Sequence, residues 1–183
     1  MVLPVFAIYA PQYAGYSAAL AGLAIGVYGL TQALFQIPFG WASDRLGRKP
    51  VIAAGLVLFA LGALTAALSD SMAGLILGRA LQGCGAVAAV VMALAADLTR
   101  DSQRTKAMAG IGASIGLAFG VAMVLGPVVA ASAGLKGIFW LTAVFAGIAL
   151  VLLALAVPTP PRQRGLADVR PAWAQVGELL RHA

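Results

Sequence analysis

The polar residues able to do chemistry are few, and they crowd into short stretches. The densest is Gly40–Trp41–Ala42–Ser43–Asp44–Arg45–Leu46–Gly47–Arg48–Lys49–Pro50, where Asp44, Arg45, Arg48 and Lys49 stand between long apolar runs. One carboxylate among three cations suits ion pairing and contact with helix ends. No nucleophile–base pair accompanies it. A second stretch, Arg79–Ala80–Leu81–Gln82–Gly83–Cys84–Gly85, places an arginine well inside an apolar run. A charge at membrane depth is costly and usually functional, although an arginine two turns inside a helix can also snorkel outward. A third group, Tyr28, Thr31, Gln32 and Gln36, recurs every three to four residues. That spacing puts them on one helical face, where they could line a solute path or hydrogen-bond to neighbouring helices.

Other chemistries are poorly supplied. Cys84 is the sole cysteine and His182 the sole histidine. One thiol excludes an intrachain disulfide and a multi-cysteine metal site, and a histidine-based catalytic or metal centre has too few ligands. We expect no metal, no cofactor and no enzymatic activity.

The elements that must position these residues are legible from composition. Of 183 residues, 62% are hydrophobic and 10% charged, with net charge +6, and the mean hydropathy is +0.96. A soluble domain averages about 45–50% apolar and about 25% charged residues. The departure in both directions is that of an integral membrane protein. The basic residues fall between apolar runs without interleaved aromatics, so they read as loops at a lipid surface; no nucleic-acid partner is expected. The N-terminus shows no basic region or small-residue cleavage site, so no removable signal peptide is expected.

A membrane-crossing helix needs about 20 apolar residues. Met1 to Ala10 is too short and reads as the second half of a span, ended by Pro11 and a turn to Ser17. Full spans occur at about Ala18–Trp41, Pro50–Leu68, Met72–Leu98, Ala107–Ala133 and Ile138–Val157. The expected turns are the charged hairpin, Ser69–Asp70–Ser71, the polar loop Thr99–Lys106, and Gly134–Gly137. Gly22, Gly26 and Gly29 make a small-residue strip suited to close helix approach. Gly112, Gly116 and Gly120 repeat every four residues before Gly126–Pro127. The fold class is thus all-α, a polytopic six-helix bundle over 1–157 with its first helix truncated. A basic linker occupies 158–183, with Trp173, Val176, Leu179 and Leu180 spaced as a short amphipathic helix on the membrane surface.

Charge counting orients the bundle. With the Asp44 hairpin inside, that side holds Arg45, Arg48, Lys49, Arg100, Arg104, Lys106, Arg162, Arg164, Arg170 and Arg181, and the other side holds Lys136 alone. The positive-inside rule therefore places the hairpin and the tail in the cytoplasm.

Gly40-x-x-x-Asp44-Arg45-x-Gly47-Arg48-Lys49 resembles the signature loop between the second and third helices of the major facilitator superfamily. Arg79 with Gln82–Gly83 and Gly85 resembles the family's fourth-helix pattern. Gly126–Pro127 resembles its fifth-helix antiporter pattern, except that Ala130–Ala131 stand where the family has a glycine pair. Such transporters have two six-helix halves with substrate between them near the midplane. The resemblance implies the N-terminal half of a twelve-helix secondary transporter of the bacterial inner membrane, most like drug-efflux proton antiporters. Its implied partners are the bilayer, a small-molecule substrate, protons, and a missing C-terminal half or second chain. By the same resemblance, Asp44 latches the outward-facing state against that other half, Arg48 pairs with Asp97 at the inner end of the fourth helix, and Arg79 serves proton coupling or the central cavity. The alternative is a truncated or non-transporting membrane scaffold.

Overall fold

In a computed structural model, which describes residues 3–85 and 87–158, the chain is helical and no strand occurs among those residues. The helices are α1 (Leu3–Tyr9), α2 (Ala18–Leu46), α3 (Arg48–Leu68), α4 (Met72–Cys84), α5 (Ala88–Asp97) and α6 (Arg104–Ala156). The expected linker helix, with Trp173, Val176, Leu179 and Leu180, lies outside the described residues.

Two helix starts arise from local hydrogen bonding. Ser17 Oγ accepts from Leu20 N–H at 3.2 Å and Ser71 Oγ from Gly74 N–H at 3.2 Å, each satisfying an orphan donor of a first turn. The turns differ from the sequence expectation. The hairpin anticipated over 40–50 is almost entirely helix: α2 continues to Leu46, α3 begins at Arg48, and Gly47 alone turns the chain at φ 99°, ψ 153°. Likewise the turn expected over Gly134–Gly137 reduces to Gly134, at φ 63°, ψ −165° inside α6. Side-chain-bearing residues rarely adopt these angles, so single glycines do the work of loops.

The expected fourth span is interrupted, with α4 ending at Cys84 and α5 starting at Ala88. Gly85 presses on α3 here: a Cβ on it would lie 2.5 Å from both Gly55 O and Phe59 N. Close approach recurs along the α3–α4 seam. A Cβ on Gly62 would lie 2.4 Å from Gln82 N, and one on Gly78 2.7 Å from Ala66 N. Membrane helices associate by such packing because lipid offers no hydrophobic drive between them.

Four helical stretches are long and apolar enough to span a bilayer: Ala18–Leu46, Arg48–Leu68, Met72–Asp97 and Asp101–Ala156. The last, folded at Gly134, supplies two arms, 104–133 and 135–156. Lys136 bonds Asp70 just beyond the end of α3, whereas Lys49 at the start of α3 reaches Ala154 and Val157. The second arm therefore runs antiparallel to α3. One core cluster joins Val5, Phe6, Tyr13, Met72, Leu75, Leu135, Ile138 and Phe139 at the end away from the hairpin. A second joins Val51, Ile52, Val90, Leu94 and Leu153 at the hairpin end. Outside them, large apolar side chains face outward, Leu155 82% and Ile37 80% exposed. Water would not tolerate so much exposed apolar surface on a monomer; the solvent of this fold is lipid.

Candidate functional site

Two polar constellations emerge. The first occupies the hairpin end. Arg48 enters α3 directly after Gly47, so its guanidinium lies over the last turn of α2. Its Nη1 donates to Asp44 Oδ1 at 2.5 Å and to Ser43 Oγ at 2.6 Å. Its Nε donates to Asp97 Oδ2 at 3.0 Å, across to the end of α5. One arginine thus ties the hairpin to the fourth span. The Asp44 side chain retains 45% of its surface, against 20% for Arg48 and 25% for Asp97. Asp44 therefore has a partner within this bundle and still presents a carboxylate face outward.

The neighbouring cations do different things. Arg45 stays outside the ion-pair network, with its guanidinium carbon 3.8 Å from the centre of the Trp41 ring. Lys49 Nζ donates to Ala154 O at 3.1 Å and Val157 O at 2.8 Å. No described residue lies within 4 Å of a Cβ position on Gly40, and its carbonyl accepts from Ser43 Oγ at 2.6 Å. Gly47 donates its N–H to Ser43 O at 3.0 Å, closing α2.

The second constellation lies within the spans, between α2 and α4. Arg79 and Gln82 are buried, at 7% and 1% exposure. Arg79 Nη1 donates to Gln82 Oε1 at 3.0 Å and Nε to Ala24 O at 3.4 Å. Its guanidinium also stacks over the Tyr28 ring, 4.2 Å from the centroid. Arg79 points into the protein and does not snorkel outward. No carboxylate pairs with it among the described residues; carbonyl dipoles and a π face carry the charge instead. Gly83 lets α4 reach α2, since a Cβ there would fall 1.9 Å from Thr31 Oγ1 and 2.4 Å from Tyr28 O. Gln32 is half-buried and Gln36 exposed, and neither side chain bonds another described residue.

The glycines of the first α6 arm belong to neither group. Gly116 and Gly120 are exposed, with no described residue near a Cβ position, while Gly126 is buried and Pro127 exposed. At the far end, the turns before α2, before α4 and inside α6 converge. Ala14 N donates to Asp70 O at 2.9 Å, Met72 N to Ala14 O at 3.0 Å, and Lys136 pairs with Asp70. Gln12, Tyr13, Asp70 and Lys136 line a cavity of about 200 Å³ there. No cluster of His, Cys, Asp and Glu able to hold a metal occurs among the described residues.

Three contributors escape a reading of the sequence. Ser43, 1% exposed, links Gly40 to Arg48, and nothing in its type announces this. The Trp41–Arg45 stack has a signal, because the two are four residues apart on one helix. The carbonyls held by Lys49 carry no side-chain signature at all.

Known proteins resemble this chain along most of its length. The family model described as Major Facilitator Superfamily matches residues 1–183. The inner membrane transport protein YajR of Escherichia coli strain K12 is 58% identical over 158 residues, covering 86% of this chain and 35% of that protein. An uncharacterized transporter of Buchnera aphidicola is 42% identical over 158 residues, covering 86% of this chain and 40% of that protein. The class B tetracycline resistance protein of Escherichia coli is 39% identical over 114 residues, covering 62% of this chain and 27% of that protein. The chain thus spans little more than a third of the lengths of the first two relatives.

Proposed function

Because the chain belongs to the major facilitator superfamily, a family of membrane transporters, we propose that it forms the N-terminal half of a proton-coupled exporter of small molecules. In this reading the bundle rocks against a second six-helix half and exposes a shared midplane site to each side in turn. The hairpin and the tail face the cytoplasm, as the excess of lysine and arginine at that end supports.

The observation that carries the reading is the Arg48 network. It holds the hairpin rigidly to the inner end of the fourth span while leaving Asp44 partly exposed. Asp44 lies in the last turn of α2, where the helix dipole disfavours a negative charge. Arg48 offsets that, and the outward face of the carboxylate is free to meet the N-terminus of a helix from the other half. Closing this contact on the cytoplasmic side latches the outward-facing state; releasing it lets the site open inward. Arg79, buried without a carboxylate partner among the described residues, is suited to answer a change of charge nearby. The tetracycline resistance relative supports export as the direction.

The test is flux through the full-length protein in proteoliposomes, with and without an imposed proton gradient. Asp44→Asn keeps the shape and removes the charge, and most transport should be lost. Wild-type flux in that variant would sink the latch, and flux indifferent to the gradient would sink the coupling.

A further inference from the structure

The two basic residues directly after Gly47 are tethered to different helices, and of the two only Arg48 has an ionic partner among the described residues. Lys49 spans from the first turn of α3 to the last turn of α6, residues more than a hundred positions apart, and donates to the carbonyls of Ala154 and Val157 at 3.1 and 2.8 Å. The sequence explains why those carbonyls are available. In a continuing helix, Ala154 O would accept from the N–H of residue 158, but that residue is proline and has none. Val157 precedes the proline and is extended, at φ −94° and ψ 118°, as the residue before proline prefers. The helix must stop here with its last carbonyls unpaired, at the negative end of its dipole. A lysine from the neighbouring helix supplies both the donors and the charge. Leu153 and Val157 pack beneath it against Val51 and Ile52 of α3, so the ammonium closes an already apolar junction.

We infer that Lys49 is a positioning residue that clamps the C-terminal end of α6, the exit end of the described chain, to the signature hairpin. The last turn of α6 then moves with the hairpin. The inference rests on the proposed transport cycle only for its use. In that cycle, Arg48 would govern how the hairpin meets the fourth span. Lys49 would carry any hairpin displacement into the last turn of α6. The geometric claim stands apart from transport and is testable without substrate.

The experiment uses the full-length protein in lipid nanodiscs, with every native cysteine, Cys84 included, replaced by serine. Spin labels at Leu46→Cys and at the exposed Leu155→Cys, which leaves Pro158 in place, report the hairpin-to-exit distance, and a second pair at Leu68→Cys and Ala133→Cys reports the opposite end. With Lys49 present, both distance distributions should be narrow. Lys49→Met should lose the narrow hairpin-to-exit distribution and leave the far pair unchanged, and Lys49→Arg should restore it. An unchanged hairpin-to-exit distance in Lys49→Met overturns the clamp. Broadening of both pairs overturns it as well, because that is general loosening. Lys49→Gln is the parallel variant. If neither Met nor Gln yields membrane-inserted protein while Arg does, Lys49 acts in assembly and the positioning role falls. If the distances respond to Lys49→Met as expected while the protein with Lys49 intact shows no proton-coupled flux, the transport reading alone falls and the clamp stands.

Discussion

Neutralising Asp97 should destabilise the bundle less than removing Arg48, because the two residues differ in the number of contacts they make. Asp97→Asn weakens one charge-assisted bond, Arg48 Nε to Asp97 Oδ2 at 3.0 Å. Hydrogen bonds to charged groups contribute about 1.5–3 kcal/mol. The two side chains keep 25% and 20% of their surface, which screens the pair and favours the lower part of that range. We expect about 1.5 kcal/mol for Asp97→Asn. Arg48→Met removes three bonds at once and leaves Asp44 and Asp97 facing each other without a cation. Breaking a buried pair costs about 3–5 kcal/mol; with Asp44 45% exposed, we expect about 3 kcal/mol. A double-mutant cycle, read by reversible unfolding in mixed micelles, should give a coupling of about 1–2 kcal/mol between positions 48 and 97. The charge swap Arg48→Asp with Asp97→Arg should rescue only in part, because an aspartate at 48 would then confront Asp44. A coupling below about 0.5 kcal/mol, or equal costs for the two single changes, would refute the network as drawn.

Gly83→Ala should cost about 1–3 kcal/mol through overpacking, since its Cβ would fall 1.9 Å from Thr31 Oγ1 and 2.4 Å from Tyr28 O. Gly116→Ala, with nothing within 4 Å, serves as the tolerated control in the same unfolding assay, and equal losses would contradict the α2–α4 contact. The Tyr13 hydroxyl, in the turn between α1 and α2, is buried without a partner among the described residues. Burial first, then the charge of Asp70, pushes its pKa from 10.0 to about 12. Because the folded value is the higher, the native state holds its proton where the unfolded chain has lost it. The associated stability is present below pH 10.0 and is lost as pH rises towards 12. Tyr13→Phe should abolish that alkaline slope at little cost at neutral pH; an unchanged slope would show that another group carries it.

The helices are legible in the sequence because apolar run length has one dominant meaning in lipid. The motifs at 40–49 and 79–85 can be placed on their spans for the same reason. The turns are harder. Polar composition stretches the hairpin over eleven residues, whereas the structure spends one glycine on it. Hydrogen bonds keep residues helical until sterics forbid it, and at these two turns Gly47 and Gly134 accept the positive φ required. The close approach of Gly85 to α3, beside the boundary between α4 and α5, is invisible in the sequence because it is a contact between distant segments. Gly116 and Gly120 carry a packing signature in sequence, yet no described residue packs on them.

The sequence alone determined the solvent, the helical class, and which charges must gather at the hairpin end, since transfer energetics act residue by residue. Tertiary structure decided which charge meets which. It gave Arg48 three partners, assigned Lys49 to the carbonyls that Pro158 leaves unpaired, and turned Arg79 inward onto Tyr28 and Gln82. Those choices depend on distances between helices far apart in the chain. Side-chain type records that a charge needs a partner; only packing records which partner is within reach.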